Sequence, residues 1–240
     1  MGKDYIFLTF EQARRAITID FRQYDPQIML FCSIIGLISD NAIRFKREPG
    51  KGGLWVNQAD SPNMRWLEGD RLVEFMCSTV NNAKWTPELL ATVSSRVFQS
   101  RVQTATDPGT GSTGVRIETQ MASFACRQCG RCCSALDYRY EVNEEDVLRW
   151  KALDRRDILQ WVERMDSHKG RPSYRVWVVP GTHRRTESCP FLKKNPTDNL
   201  WVCQIHTVKP KICRNYPVSR KHALMTGCRG FNHPAMGQKR

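Results

Sequence analysis

Eight of the ten cysteines fall between Cys126 and Cys228, and that clustering constrains this 240-residue chain more than any other feature. They stand as Cys126-x2-Cys129-x2-Cys132-Cys133, followed by the separate Cys189, Cys203, Cys213 and Cys228. A lone buried cysteine is a small hydrophobe, but packing does not account for this density. A C-x2-C turn aims two sulfurs at one ion, and thiolates are soft, strongly donating ligands suited to zinc and to iron–sulfur clusters. Cys32 and Cys77 lie in apolar helical patterns and are expected to be packing residues.

Disulfides are the rival use of so many thiols, and the compartment decides between the two. The longest apolar run, Ile28 to Ile38, contains Ser33 and Gly36 and is too short for a membrane span, which needs about 18 residues. It follows Arg14, Arg15, Asp20, Arg22 and Asp25, and no small-residue cleavage site comes after it, so it does not read as a secretory signal. The expected location is cytoplasmic, with no membrane partner, and a reducing compartment favours metal binding over disulfides.

Charge is as uneven as cysteine. Residues 1–120 carry 14 Lys/Arg against 13 Asp/Glu, whereas residues 121–240 carry 23 against 11. The expected fold class is α+β: a helical domain over 1–103, a linker over 104–120, a small irregular cysteine-rich metal-binding domain over 121–234, and a tail over 235–240. In the first part, Thr9 and Gln12 have capping-box spacing ahead of Phe10, Ala13, Ile17 and Phe21. Asp25–Pro26 opens a helix through Ile38 toward Phe45, Ser61–Pro62 one reaching Val80, and Thr86–Pro87–Glu88 one through about Val102. Four helices with short connections suggest a small bundle.

Residues 104–114 (TATDPGTGSTG) are small or polar throughout and read as a linker. Their Gly109-x-Gly111-x-x-Gly114 has the pattern of a dinucleotide loop, which works only between a strand and a helix. Here a helix precedes it and Val115–Gln120 looks extended, so the linker reading is preferred. In the second part, Asn143 caps a helix led by Glu144, Glu145 and Asp146. A further helix carries Ile158, Trp161, Val162 and Met165, and a strand runs from Ser173 to Val179. Asn195–Asn199 is the turn of a hairpin ending in Leu200–Ile205.

Spacing alone leaves the metal open. Zinc ribbons pair two knuckles, and the second C-x2-C is missing unless Cys203-x2-His206 replaces it. Three cysteines at x2–x2 spacing with a remote Cys–Pro are similar to bacterial ferredoxin runs, where the fourth cysteine is close in sequence. The C-x3-C-x2-C pattern of radical S-adenosylmethionine enzymes is absent, since position 136 is Leu. Adjacent Cys132 and Cys133 are expected not to turn both sulfurs onto one ion, leaving one for a second centre or the core. Two four-thiolate centres would use all eight cysteines, and one cluster would leave spare thiols.

The run Phe124-x-Cys126-x2-Cys129-Gly130-x-Cys132-Cys133, with Cys189-Pro190-Phe191-Leu192, Cys203-x-Ile205-His206, Lys209-Pro210-x2-Cys213-Arg214-x-Tyr216-Pro217 and Cys228, resembles the cysteine-cluster (CxxCxxCC) family of zinc- or iron-chelating domains. The resemblance covers about residues 121–230 and fills all eight family cysteines. It implies Cys126, Cys129, Cys132, Cys133, Cys189, Cys203, Cys213 and Cys228 as metal-ligating positions. Some members are similar to flagellin lysine N-methylases, but nothing outside the cluster here resembles a methyltransferase, and no catalytic residue is identified.

The expected function is a metal-binding cysteine-cluster protein holding an iron–sulfur cluster, or zinc in its place, with a redox or accessory role toward a partner protein. Arg127, Arg131, Arg214 and Arg229 would offset thiolate charge. His168, His183, His222 and His233 read as surface residues, and Trp177, Trp201 and Tyr216 as core. The alternative is a nucleic-acid-binding module with structural zinc, motivated by the basic half. Its aromatic and basic residues form no recognisable binding motif, which ranks it second.

Overall fold

The computed structural model of the chain describes residues 4–58, 63–135, 142–165 and 172–231, and the chain divides into two units, Met1–Ala122 and Ser123–Arg240. The first unit opens with strand β1 (Tyr5–Thr9), whose last residue caps helix α1 (Phe10–Gln23). Gln12 N donates to Thr9 Oγ1 at 3.3 Å and Thr9 N donates to Gln12 Oε1 at 3.0 Å, the reciprocal box that satisfies two otherwise unpaired donors. Helix α2 (Ile28–Ile38) takes the apolar run but starts beyond Pro26, with Gln27 at its N-cap. It also stops short of Phe45. Asp40 and Asn41 both take positive φ, which breaks the helical ladder, and the chain leaves as strand β2 (Ile43–Lys46).

Strands β3 (Gly53–Gln58) and β4 (Arg65–Glu68) complete an antiparallel meander in the order β2-β3-β4. The helix expected from Ser61 therefore begins later, as α3 (Gly69–Asn82); Ser61 and Pro62 lie outside the described residues. Leu67 is drawn into strand pairing opposite Leu54, both facing the core, and Gly69 at φ 52° makes the turn into the helix. Helix α4 (Pro87–Phe98) starts as expected, with Thr86 Oγ1 accepting from Leu89 N at 3.2 Å, and ends at a left-handed Gln99.

The segment expected to be a linker over 104–120 is a hairpin of strands β5 (Val102–Thr106) and β6 (Thr113–Glu118). Strand β6 pairs antiparallel with both β5 and β1, giving the order β1-β6-β5, and buries Val115 and Ile117. Asp107 closes the turn: its N donates to Ser112 O at 2.9 Å and its carboxylate accepts from Gly109 N at 2.7 Å. Gly109 and Gly111 thus serve a turn between strands and Gly114 lies within β6, so no helix follows to complete a dinucleotide loop. All four expected helices are present. They pack with two three-stranded sheets, however, and not as a bundle alone. Phe21, Phe31 and Phe75 meet edge-to-face at 5.9 and 6.0 Å in their shared core. Cys77 is buried, its thiol 3.8 Å from Thr18 O, and Cys32 is half-buried on α2, as packing residues should be.

The second unit is built from short pieces: α5 (Arg131–Ser134), α6 (Glu144–Ala152), α7 (Arg156–Leu159), β7 (Val162–Met165), β8 (Ser173–Val176), β9 (Leu192–Lys194), β10 (Trp201–Cys203), α8 (Lys211–Asn215) and α9 (Arg220–Met225). Asn143 caps α6, accepting from Asp146 N at 3.0 Å. The helix expected to carry Met165 ends at Leu159, because Val162–Met165 finds an antiparallel partner in Ser173–Val176. The hairpin around Asn195–Asn199 forms, with β9 paired to β10. Trp150 on α6 centres the core with Ile158, Val176 and Ile205, and its Nε1 donates to Val208 O at 2.7 Å. The mixed α+β class holds, and no helix among the described residues is long and apolar enough to cross a membrane.

A Cβ on Gly114 would lie 2.1 Å from Leu8 O, whereas one on Gly109 meets only the Asp107 carboxylate at 3.3 Å. Gly114→Ala should therefore cost about 1–3 kcal/mol, the range of overpacking, and Gly109→Ala about 0.5 kcal/mol or less. Urea denaturation of both variants checks this; equal, negligible effects would return the segment to a linker.

Candidate metal centre

All eight clustered cysteines line one cavity of about 450 Å³ in the second unit. Cys126 and Cys129 lie on the segment entering α5, Cys132 and Cys133 on α5, and Cys189 just before β9. Cys203 ends β10, Cys213 is in α8 and Cys228 follows α9. The knuckle rests on β10: Trp201 N donates to Gln128 O at 2.8 Å, and Gly130, at φ 71°, lies so close to the Trp201 indole that a Cβ would come within 2.7 Å of it. Cys189 N donates to Cys133 O at 2.9 Å. The ends of the cysteine segment close on each other through Ala125 N to Gly230 O at 3.1 Å and the Phe124–Phe231 ring contact at 5.3 Å.

Helix α6 holds the Cys213 segment. Asp146 is 1 % exposed; its Oδ2 accepts from Lys211 N at 2.8 Å and its Oδ1 pairs with Arg214 Nη2 at 3.2 Å. One carboxylate thereby satisfies an orphan donor at the start of α8 and a guanidinium beside Cys213. Arg149 Nη2 donates to Thr207 O at 2.7 Å on the same segment. Sequence reasoning read Asp146 only as a first-turn acid. The order Asp146…Lys211…Arg214 carries no spacing signal, because the partners are brought together only by tertiary structure.

Cys126 and Cys129 are exposed; Cys189 is buried, and Cys132, Cys133, Cys203, Cys213 and Cys228 are intermediate. Cys132 and Cys133 stand with their sulfurs 3.8 Å apart. A tetrahedral site with metal–sulfur bonds of about 2.3 Å spaces its sulfurs by about 3.8 Å. Sequence adjacency thus does not keep these two from one ion, contrary to expectation, because both side chains leave α5 toward the cavity. The thiol of Cys133 bonding to Cys132 pulls the Cys132 pKa down and drives that of Cys133 up. Burial, reinforced by neighbouring thiolates, pushes Cys189 up to about 11 and Cys213 to about 12; Cys203 is raised by burial as well. The Lys209 ammonium opposes the rise at Cys203 and Cys213.

Among the described residues no three His, Cys, Asp or Glu side chains already converge as a ligand set; the sulfurs line the cavity wall. The donor chemistry nevertheless fits a soft metal: among the described residues, eight thiols and no carboxylate line the cavity. His206 and Lys209 also line it, and Lys209 was not singled out in the sequence. His183 bonds to Glu163 and His222 packs on Tyr216 at 5.1 Å, while His168 and His233 lie outside the described residues. Trp177 is core, but Trp201 sits half-exposed at the cavity. Arg131 Nε donates to Thr226 O at 3.4 Å, Arg127 lines the cavity and Arg229 is exposed.

Residues 125–229 match the family model CxxCxxCC, described as a "putative zinc- or iron-chelating domain". No curated protein and no solved structure matches the chain.

Two expectations follow from this geometry. Asp146→Ala should destabilise the protein by about 1–3 kcal/mol and lower its metal content, since Lys211 N and the Arg214 guanidinium lose their buried acceptor. Urea titration with metal analysis checks it; unchanged values would mean that α8 is held without the carboxylate. Secondly, Cys189, Cys203 and Cys213 are protonated at pH 7.5, so metal binding should release at least three protons, measurable by calorimetry in buffers of different ionisation enthalpy. Affinity then falls as pH is lowered, by about tenfold per unit for each displaced proton. Without metal the sign reverses. The raised pKa values contribute stability that is complete below the ordinary thiol value of 9.0 and is lost as pH rises through about 11 and 12. A proton count near zero would contradict the assignment of these thiols as ligands.

Proposed function

We propose that the second unit is a thiolate metal module in which cysteines drawn from the eight that line its cavity hold an iron–sulfur cluster, with zinc as the alternative, and that it serves a partner protein in a redox or accessory role. The observation that carries this reading is that eight thiols from separate short elements line one cavity of about 450 Å³. A closed zinc site and an iron–sulfur cluster each take four thiolates, so eight around one cavity supply two such centres or one with spare thiols. An iron–sulfur cluster would supply electron transfer, whereas four-thiolate zinc would be structural.

The chain's own groups have separable parts in this reading. Cys132, Cys133, Cys189, Cys203, Cys213 and Cys228 form the shielded part of the donor set, and Cys126 and Cys129 the accessible part. Asp146 fixes the Cys213 segment, and Lys209 offsets thiolate charge from within the cavity. The nucleic-acid alternative stays second because the basic and aromatic residues of this half form no recognisable binding motif.

Anaerobic purification followed by iron, sulfide and zinc analysis and a visible spectrum tests the proposal. Iron with matching sulfide is expected, lost in Cys213→Ala and retained in Cys32→Ala. Zinc without sulfide would select the alternative, and natively folded protein free of both metals would overturn the reading.

A further inference from the structure

We infer that the mouth of the cysteine cavity is a docking surface for a small acidic protein; this rests on the metal-module reading and names the chemistry of its partner. Among the described residues the cavity is lined by Arg127, Arg131, Lys209 and His206 and by no Asp or Glu. Beside it the β9–β10 hairpin exposes Leu200, Trp201 and Val202 at 38, 36 and 42 %. Strand register sets exposed Lys194 opposite Trp201 and Lys193 opposite Val202, and because successive strand residues alternate faces, each face of the hairpin pairs one cation with one apolar side chain. Trp201 and Val202 also line the cavity, which makes patch and cavity continuous.

An apolar centre within a polar rim is the anatomy of a protein interface. Asp198 in the hairpin turn, whose carboxylate accepts from Leu200 N at 3.0 Å, is an acid at the same edge, but the rim is mainly cationic. A mainly cationic rim steers an acidic partner to the right orientation, and small charge-guided interfaces of this kind suit transient redox encounters. The exposed Cys126 and Cys129 lie at the same mouth, so a docked protein would sit against the accessible part of the donor set. A single-stranded nucleic acid fits less well. It needs successive aromatic faces, and the one exposed indole here is already packed against Gly130.

Two small acidic electron carriers, a flavodoxin and a plant-type ferredoxin, serve as probes against the full-length protein purified anaerobically. Binding is followed by calorimetry at 20 and 200 mM salt (about a threefold change in screening length), and contacts are mapped by carbodiimide cross-linking and mass spectrometry. At least one carrier should bind, with cross-links at Lys193 or Lys194 and at least tenfold weaker affinity at the higher salt. Lys193→Glu with Lys194→Glu should weaken binding at least tenfold. Arg164→Glu with Arg184→Glu, an equal charge change on exposed residues elsewhere in the unit, should change it less than twofold. No binding of either carrier, equal losses in both double variants, or cross-links confined to other lysines would overturn the inference. So would a 20-nucleotide oligothymidylate that binds through Lys193 and Lys194 and displaces the carriers. Metal is quantified in every sample: full metal with failed docking overturns this inference alone, whereas metal-free wild type overturns the reading beneath it.

Discussion

The buried carboxylate of Asp146 is the interaction on which the cysteine cavity most depends. It ties α6, the helix whose Trp150 centres the apolar core of the second unit, to the start of α8 and to the arginine that follows Cys213. A helix of five residues has no intrinsic reason to persist in water. Its direction, and with it the position of Cys213, is set by an acceptor that reaches it across 65 residues of sequence. The hydrogen bond from Trp150 Nε1 to Val208 O and the one from Arg149 to Thr207 O repeat that logic along the same segment.

The two units reach order by different means. In the first, amphipathic helices and two antiparallel sheets enclose a continuous apolar core, and its two cysteines are part of that packing. The second has elements of three to nine residues, a smaller core, and cross-links made by single hydrogen bonds and close glycine contacts such as Gly130 against Trp201 and Gly230 against Phe124. Partly buried Cys133, Cys203 and Cys213 pack on that core from the cavity side. Core and candidate centre therefore share side chains, and bonds to a metal would add directly to the constraints that hold the unit together.

Cys126, Cys129, Cys132 and Cys133 were legible from spacing because C-x2-C is a local pattern, whereas Cys189, Cys203, Cys213 and Cys228 were marked only by their density and by the family resemblance. The caps at Thr9, Thr86 and Asn143 were legible because they act within three residues. Features made by tertiary pairing were not. The hairpin over 102–118 hides behind small polar residues, because its stability comes from pairing with β1 and from only two buried side chains, Val115 and Ile117. Arg65–Glu68 reads equally as helix or strand until Leu54 is known to lie opposite Leu67. Asp146 satisfies a helix-dipole rule by position alone, which masked its second use. Adjacent cysteines read as incompatible with one ion, yet the two sulfurs stand 3.8 Å apart, a separation compatible with the edge of a thiolate tetrahedron.

X-ray absorption at the edge of the metal carried by the natively purified protein tests the central claim most directly, because it reports the first coordination shell without reference to function. The expected spectrum has a sulfur shell near about 2.3 Å with about four scatterers per metal, whether the metal is iron or zinc. A shell of nitrogen and oxygen at about 2.0–2.1 Å, with no sulfur, would contradict a centre built from these cysteines.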